Sequence, residues 1–515
     1  MLFHHHSQPA SGAYVEQLQI ELPEWLDRGP LTLAWEALHR QHGVFRTCFQ
    51  RSAGGIPTQE IHPSVAAETS WSDWRTLDPA EVEGGFAAHL QADRSRGFCL
   101  TRPPLTRLHA FLLPGQRTRL LWTFHHILLD GRSIPLVLDE LLQLHDAFRD
   151  GREVVLPPRR DYADHLAWLT RRRSITDERF WSWALAEFRR PTPLPYEPNP
   201  PAQELSGEAE CETRLTRSTT DQLRELARSA DVTLNTVLLG AWGLLLSRHS
   251  GEADVVFGTT RACRRSGLPE APDMIGLFIN TLPFRVRVHG ARTLAGWLQE
   301  VRADWLGLGD VEHSSLADIQ RWSELSPGQP LFRTLFVFEN HDYASGLRRL
   351  GERWAACDAR IHESVGYPLN LAAYGEPELL LKLGYDRTCY SPDTAARLLG
   401  QLKRLLEVMA ARPHARLADL PMLDEAELAQ LSQLWQGAPV KRTANDDWQI
   451  ARRADPAPFA VRHSPPPSRN RSQTRDRIRR PQSMRCAPTR ASTISWRSKR
   501  PARRIWSRSR PAASA

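Results

Sequence analysis

The sequence predicts an α/β protein of two lobes followed by a basic tail that does not fold. Three observations predict it. Strand-like and helix-like apolar periods alternate through residues 1–436. A proline-rich break at 191–201 interrupts them. Beyond about Gly437 the periodicity ends, and residues 456–515 hold nine prolines, ten serines and fifteen arginines. The expected boundaries are 1–175 for the first lobe, 176–436 for the second, and 437–515 for a linker and disordered tail.

In chain order, Leu108–Leu113, a Pro114-Gly115-Gln116 turn and Leu120–Phe124 read as a hairpin. The second strand runs into His125-His126-Ile127-Leu128-Leu129-Asp130-Gly131. A helix follows, with Ser133 as its expected cap, Pro135 in its first turn, and Leu138, Leu141, Leu142 and Phe148 at helical spacing. Tyr162–Arg172 and Ile175–Phe188 read as helices. So do the runs Leu223 to Ala230 and Leu234 to Leu245, with Thr233 capping the latter. Strands are expected at Val255–Phe257, Ile275–Val288 and Leu331–Phe338, and closing helices at Thr394–Met409 and Asp424–Trp435.

The charge is unevenly placed. The chain carries +8 overall, but residues 456–515 contain sixteen Lys/Arg and the single acid Asp476, which leaves the other residues at −7. The body is mildly acidic and only the tail is basic, so the global charge says nothing about the main domains' partners, among which no nucleic acid is expected. Four lysines against 63 arginines indicate a gene rich in G and C, and the tail reads as such a gene translated out of frame from residues 450–460 onward. The longest apolar run, Val237–Leu246, is shorter than the ~18 residues of a membrane span, and the first residues lack the pattern of a signal peptide. Seven cysteines, none in a Cys-x-x-Cys pair, argue against a zinc ribbon, an iron–sulfur site or a disulfide framework, and fit a reducing cytoplasm.

His125-His126-x-x-x-Asp130-Gly131, on a strand–loop–helix junction, is the strongest chemical signal. A neutral imidazole can take a proton from an attacking amine or hydroxyl, or orient it. A nearby carboxylate fixes the loop, and a glycine admits substrate to the main chain. The competing reading is structural: a strand end with one histidine buried and one hydrogen-bonded. Gly-x-Ser-x-Gly, Gly-Lys and His-Glu-x-x-His are all absent, which removes a hydrolase elbow, a Walker A loop and a zinc protease helix; His4–His6 reads as incidental. What remains is histidine-dependent transfer of an acyl group that arrives already activated, with no metal site expected.

These residues resemble the condensation domains of nonribosomal peptide synthetases. The segment His125–Gly131 is similar to their core motif. Gln41-His42-Gly43-Val44-Phe45-Arg46-Thr47-Cys48-Phe49 resembles a second motif, with Gln, Gly and Phe replacing the family's first Arg, Glu and Leu. Tyr162–Trp168, Ile275–Thr281 with Arg285, and Leu331–Asn340 resemble three more. The start resembles the end of the family's first motif, and the tail stands where an adenylation domain normally begins.

The resemblance implies two chloramphenicol-acetyltransferase-like lobes arranged as a V, with the loop in a tunnel at their junction. It implies amide bond formation between a donor acyl or peptidyl thioester and an acceptor aminoacyl thioester, each on the phosphopantetheine of a carrier protein. No cofactor bound by the domain itself is implied. His126 is expected to act on the amine, with His125 supporting the loop, Asp130 paired to Arg285 across the lobes, and the Gly131 amide beside the reacting oxygen. Arg46 is expected as a packing charge. Trp122, Arg132 (where the family often has Trp), Asn280 and Thr281 are candidates for the tunnel wall. Three alternatives stand beside this: an epimerisation domain of the same superfamily, a carrier-binding remnant without activity, and a free-standing acyltransferase.

Overall fold

Strand alternation decides which faces are covered. The computed structural model describes residues 14–51, 57–172, 175–195, 197, 207–265, 268–339, 357–423 and 427–429. The first half contains β1 (Val15–Leu22), α1 (Arg28–Gln41), β2 (Thr47–Arg51), β3 (Pro57–Ile61), β4 (Thr69–Asp73), α2 (Pro79–Arg96), β5 (Thr106–Leu113), β6 (Arg117–His125), α3 (Ser133–Arg149), α4 (Tyr162–Arg171) and α5 (Ile175–Ala184). The second contains β7 (Glu208–Arg214), α6 (Arg217–Ser229), α7 (Leu234–Ser250), β8 (Asp254–Arg261), β9 (Asn280–Arg287), α8 (Leu294–Gly307), α9 (Leu316–Trp322), β10 (Thr334–Glu339), β11 (Asp358–His362), β12 (Leu369–Tyr374), β13 (Leu380–Asp386) and α10 (Pro392–Ala411).

Two large sheets result, one ordered β11-β1-β6-β5-β4 and the other β7-β13-β12-β10-β8-β9. The expected hairpin is β5–β6, antiparallel from Thr106↔Phe124 to Leu113↔Arg117, with Gly115 and Gln116 at positive φ in its turn. Along β6 the side chains part by period two. Leu120, Trp122 and Phe124 join Trp35 and Leu38 of α1 and Leu138 and Leu141 of α3 in one core. Leu121 faces the other way, towards Val82 and Phe86 of α2.

The second core surrounds α7, buried at every position from Thr236 to Ser247. That burial accounts for the apolar run Val237–Leu246: a helix apolar all round is a core helix here. Thr233 caps it as expected, accepting from the Thr236 amide at 3.2 Å, and Gly251 ends it in the left-handed region at φ 73°. Among the described residues, no single helix is long and apolar enough to cross a membrane.

The structure departs from the expected division in one respect. β11 lies far along the second half yet pairs antiparallel with β1, from Gln17↔His362 to Glu21↔Asp358. A cut at 175/176 therefore does not separate the two sheets. Helix Asp424–Trp435, apart from residues 427–429, and the tail 437–515 lie outside the described residues.

Candidate active site

The site begins where β6 runs out. Antiparallel pairing with β1 continues one residue past the strand, because the His126 amide donates to the Tyr14 carbonyl at 2.8 Å. His125 ends the strand fully buried, and its Nδ1 accepts from the Ile127 amide at 3.1 Å, which assigns its ring proton to Nε2. It supports the loop. His126 is half-buried, and its Nδ1 lies 2.7 Å from the Leu129 carbonyl oxygen. A carbonyl only accepts, so Nδ1 carries a proton, and the neutral tautomer that this bond selects has its lone pair at Nε2. Nε2 has no hydrogen-bond partner among the described residues.

Asp130, 1% exposed, locks the loop. Its Oδ1 accepts from the Ser133 amide at 3.1 Å and the Ser133 hydroxyl at 2.9 Å, and its Oδ2 from the Phe278 amide at 3.1 Å. The Arg264 guanidinium closes the set, with Nη2 2.5 Å from Oδ1 and Nε 3.2 Å from Oδ2. Arg264 also donates to the Ala271 and Met274 carbonyls, both at 2.8 Å, and stacks over Phe278 at 4.1 Å. One buried cation thus holds the His126 loop against segment 264–278 of the second half. Gly131 follows half-buried, and its amide makes no hydrogen bond among the described residues.

Several expected roles are corrected here. Arg285 is not the partner of Asp130. It sits on the edge strand β9, where its guanidinium takes Asp254 of β8 at 2.5 Å and the Ala184 and Ala186 carbonyls at 2.9 and 2.8 Å. Trp122 does not line a channel: it is 1% exposed, packs against Trp35 at 5.9 Å, and donates to the Thr106 hydroxyl at 2.8 Å. Ser133 does not cap α3, because its hydroxyl is used by Asp130, Gly276 and Arg264 instead. Sequence reasoning missed Arg264 because Arg264-Arg265 reads as a solvated loop; its one signal was a place just after a strand.

Other residues fall where packing requires them. Arg46 donates to the His39 carbonyl at 2.9 Å and to the His62 carbonyl, tying the end of α1 to the chain after β3. The Asn280 amide is committed to the Glu312 and Ser314 carbonyls at 2.9 and 2.7 Å. Thr281 is half-buried in β9 opposite Thr260, and Arg132 is exposed just before α3. Glu339, at the end of β10, is open to solvent yet crowded by protein. Desolvation, then the Glu363 and Asp130 carboxylates, push it up to about 7, partly offset by Arg132. Glu16 on β1, opposite Phe124, is 2% exposed. Burial foremost, then Glu363, holds it well above the usual carboxylate range.

Motifs distant in sequence meet behind the loop. The Tyr162 ring fills the space beside Gly276, where a Cβ would lie 2.2 Å from it, and the Tyr162 hydroxyl donates to the Leu277 carbonyl. His42 Nε2 lies 2.6 Å from the buried Glu140 of α3. Glu140 also pairs with Arg159, which reaches the Asp273 carbonyl at 3.0 Å.

Two mixed sheets, and at the end of β6 a histidine loop held by a buried Asp–Arg pair, make up the architecture. Solved structures share it. The first condensation domain of the calcium-dependent antibiotic synthetase, in complex with a substrate analogue, superposes with a TM-score of 0.65 at 20% identity, covering 82% of this chain and 97% of that one. The X-domain in complex with OxyB from teicoplanin biosynthesis gives 0.68 at 24%, covering 81% and 93%. The Condensation domain family model matches residues 1–432, so the chain belongs to the condensation-domain family. One of the linear gramicidin synthase proteins of Brevibacillus parabrevis is 38% identical over 442 residues, 84% of this chain but 8% of that protein. This chain therefore spans less than a tenth of that relative's length.

Proposed function

We propose that this chain forms an amide bond between two carrier-bound thioesters during nonribosomal peptide synthesis. The observation that carries the reading is the His126 ring, with Nδ1 donating to the Leu129 carbonyl and Nε2 left as an unshared lone pair. The acceptor amine attacks the donor thioester carbonyl, the new C–N bond forms, and the C–S bond breaks. His126 Nε2 receives or orients the amine proton, which ends on the departing thiolate. A thioester is activated enough that no covalent enzyme intermediate is needed.

The reading assigns the Gly131 amide to the developing oxyanion and leaves Asp130 and Arg264 as positioning residues. It sets the loop in a tunnel between lobes arranged as a V, served by a donor carrier protein on one side and an acceptor carrier on the other. Both substrates ride on phosphopantetheine arms, the domain brings no cofactor of its own, and an adenylation domain is the expected neighbour. The work is cytoplasmic, in keeping with cysteines that form no Cys-x-x-Cys pair.

Reconstitution tests it. The chain is mixed with two loaded carrier proteins, and transfer to the acceptor is followed by intact-protein mass spectrometry. His126→Ala should lower transfer by about 10²–10⁴ with an unchanged circular dichroism spectrum. Transfer that survives the substitution would overturn the role given to His126. No transfer by folded protein across several acyl pairs would favour a carrier-binding remnant.

A further inference from the structure

A cluster of metal-ligating side chains lies away from the His126 loop, on the β2–β3 hairpin. Cys48 stands directly opposite Glu60 in the ladder. The His62 amide donates to the Arg46 carbonyl at 2.9 Å, which continues the pairing one step. Side chains two residues apart share a face of a strand, so Cys48 and Gln50 of one strand face the same way as Glu60 of the other, and the extended pairing brings His62 to that face. The Cys48 Sγ, a Glu60 carboxylate oxygen and a His62 ring nitrogen all lie within 4.8 Å of one another.

We propose that Cys48, Glu60 and His62 bind a thiophilic divalent cation of the zinc(II) class, which clamps the two strands of this hairpin together.

The spacing fits. Zinc–sulfur and zinc–nitrogen bonds of about 2.3 and 2.05 Å at a tetrahedral angle separate the two ligand atoms by about 3.6 Å. Cys48 Sγ and His62 Nε2 are 3.3 Å apart, so small adjustments admit the ion. The Gln50 side-chain amide lies 3.1 Å from Glu60 Oε2 and 3.8 Å from Cys48 Sγ. A partly positive N–H₂ thus already bridges the carboxylate and the thiol sulfur, where a cation would be drawn. Turning that amide would offer its oxygen as a fourth ligand; otherwise water completes the set. Arg46 donates to the carbonyl of His62 itself, fixing the main chain that presents the imidazole.

The ligand types favour a borderline-soft ion: one thiol, one imidazole and one carboxylate suit zinc better than magnesium or calcium. Cys48 is fully buried while Glu60 is exposed, so an ion can enter from the Glu60 side. Binding releases the thiol proton to solvent.

The test is cobalt(II) titration of the full chain after chelator treatment, read by absorbance. The expected result is one equivalent bound, with a thiolate-to-cobalt charge-transfer band in the near ultraviolet and tetrahedral d–d bands in the visible. Zinc(II) should displace the cobalt and raise the Tm. Cys48→Ser should remove the charge-transfer band. Because Cys48 is buried, Glu60→Gln on the exposed side supplies a variant that keeps the fold, and it should weaken cobalt binding about tenfold. A band that survives Cys48→Ser would belong to another cysteine and overturn the proposal. So would the absence of binding to folded wild-type protein at millimolar cobalt; the 3.3 Å contact would then be a thiol–imidazole hydrogen bond only.

Discussion

Arg264 lies along the edge of Asp130 with two nitrogens on its two carboxylate oxygens, at 2.5 and 3.2 Å, both side chains at most 3% exposed. A planar guanidinium matches a carboxylate in this bidentate way, and lysine could not. Because neither group reaches water, the opposite charge of each is what balances the other. Removing one leaves a buried charge alone.

Asp130→Ala and Arg264→Ala should therefore each cost about 3–5 kcal/mol in urea unfolding, and the double variant much less than their sum. Arg285→Ala should show no coupling to Asp130→Ala, since its own carboxylate is Asp254. Coupling of Asp130 to Arg285 instead of Arg264 would contradict the pairing described.

Gly276→Ala is the second case. The added methyl would stand 2.2 Å from the Tyr162 ring, so the ring or the main chain beside it must shift. Overpacking of this kind costs about 1–3 kcal/mol. Combining it with Tyr162→Leu should recover part of the loss in Tm, although the bond to the Leu277 carbonyl goes with the phenol. A Gly276→Ala protein as stable as the parent would mean that α4 is not packed against this loop.

Acid sensitivity follows from histidines. His39, His109, His165, His313 and His362 are each pushed down to about 4, burial being the leading cause in every case. The unfolded chain binds protons to them near 6.5, so between there and 4 the native state binds fewer. Stability is full above the unfolded value and falls as pH drops through that window. Each ring contributes a slope of up to about 1.4 kcal/mol per pH unit. Urea midpoints between pH 7 and 5 should fall steeply, and His39→Gln should flatten the fall.

Glu16 has the opposite sign. Its folded value is raised, so the native state holds the proton more tightly than the unfolded chain, and stability is lost as pH rises above the ordinary carboxylate range. Glu16→Gln should leave stability unchanged near pH 4 and give a growing advantage up to pH 8. The gap widens by at most about 1.4 kcal/mol per pH unit. Equal stabilities at pH 8 would show that the carboxyl is ionised and compensated.

The positions of the chemistry were legible because they follow local rules. A strand ending in two histidines, then a loop, then a helix, can be read from period and composition, and β5, β6 and α3 stand as expected. The cross-lobe partner of Asp130 was not. Arg264 and Arg285 are both arginines of the second half, and nothing in a one-dimensional pattern distinguishes a guanidinium turned inward from one turned to an edge strand. Trp122 shows the same limit: alternation assigns it to a face, but whether that face meets helices or a channel is decided by α1 and α3. Ser133 failed for a third reason. A hydroxyl ahead of a helix normally caps it, but the buried Asp130 carboxylate offered a stronger partner.

The pairing of β11 with β1 bears on how such chains can be rebuilt. Were one half exchanged for a homologous half, β1 would have to accept a foreign strand along the register from Gln17 to Glu21. A chimera whose crossover falls between the halves would rest on that foreign pairing, and a fragment stopping before Asp358 would leave one side of β1 with a bare row of amides and carbonyls, the kind of edge that recruits other chains. The two sheets are thus inherited together, and productive crossovers should lie outside residues 15–362, whatever the proline-rich break at 191–201 invites.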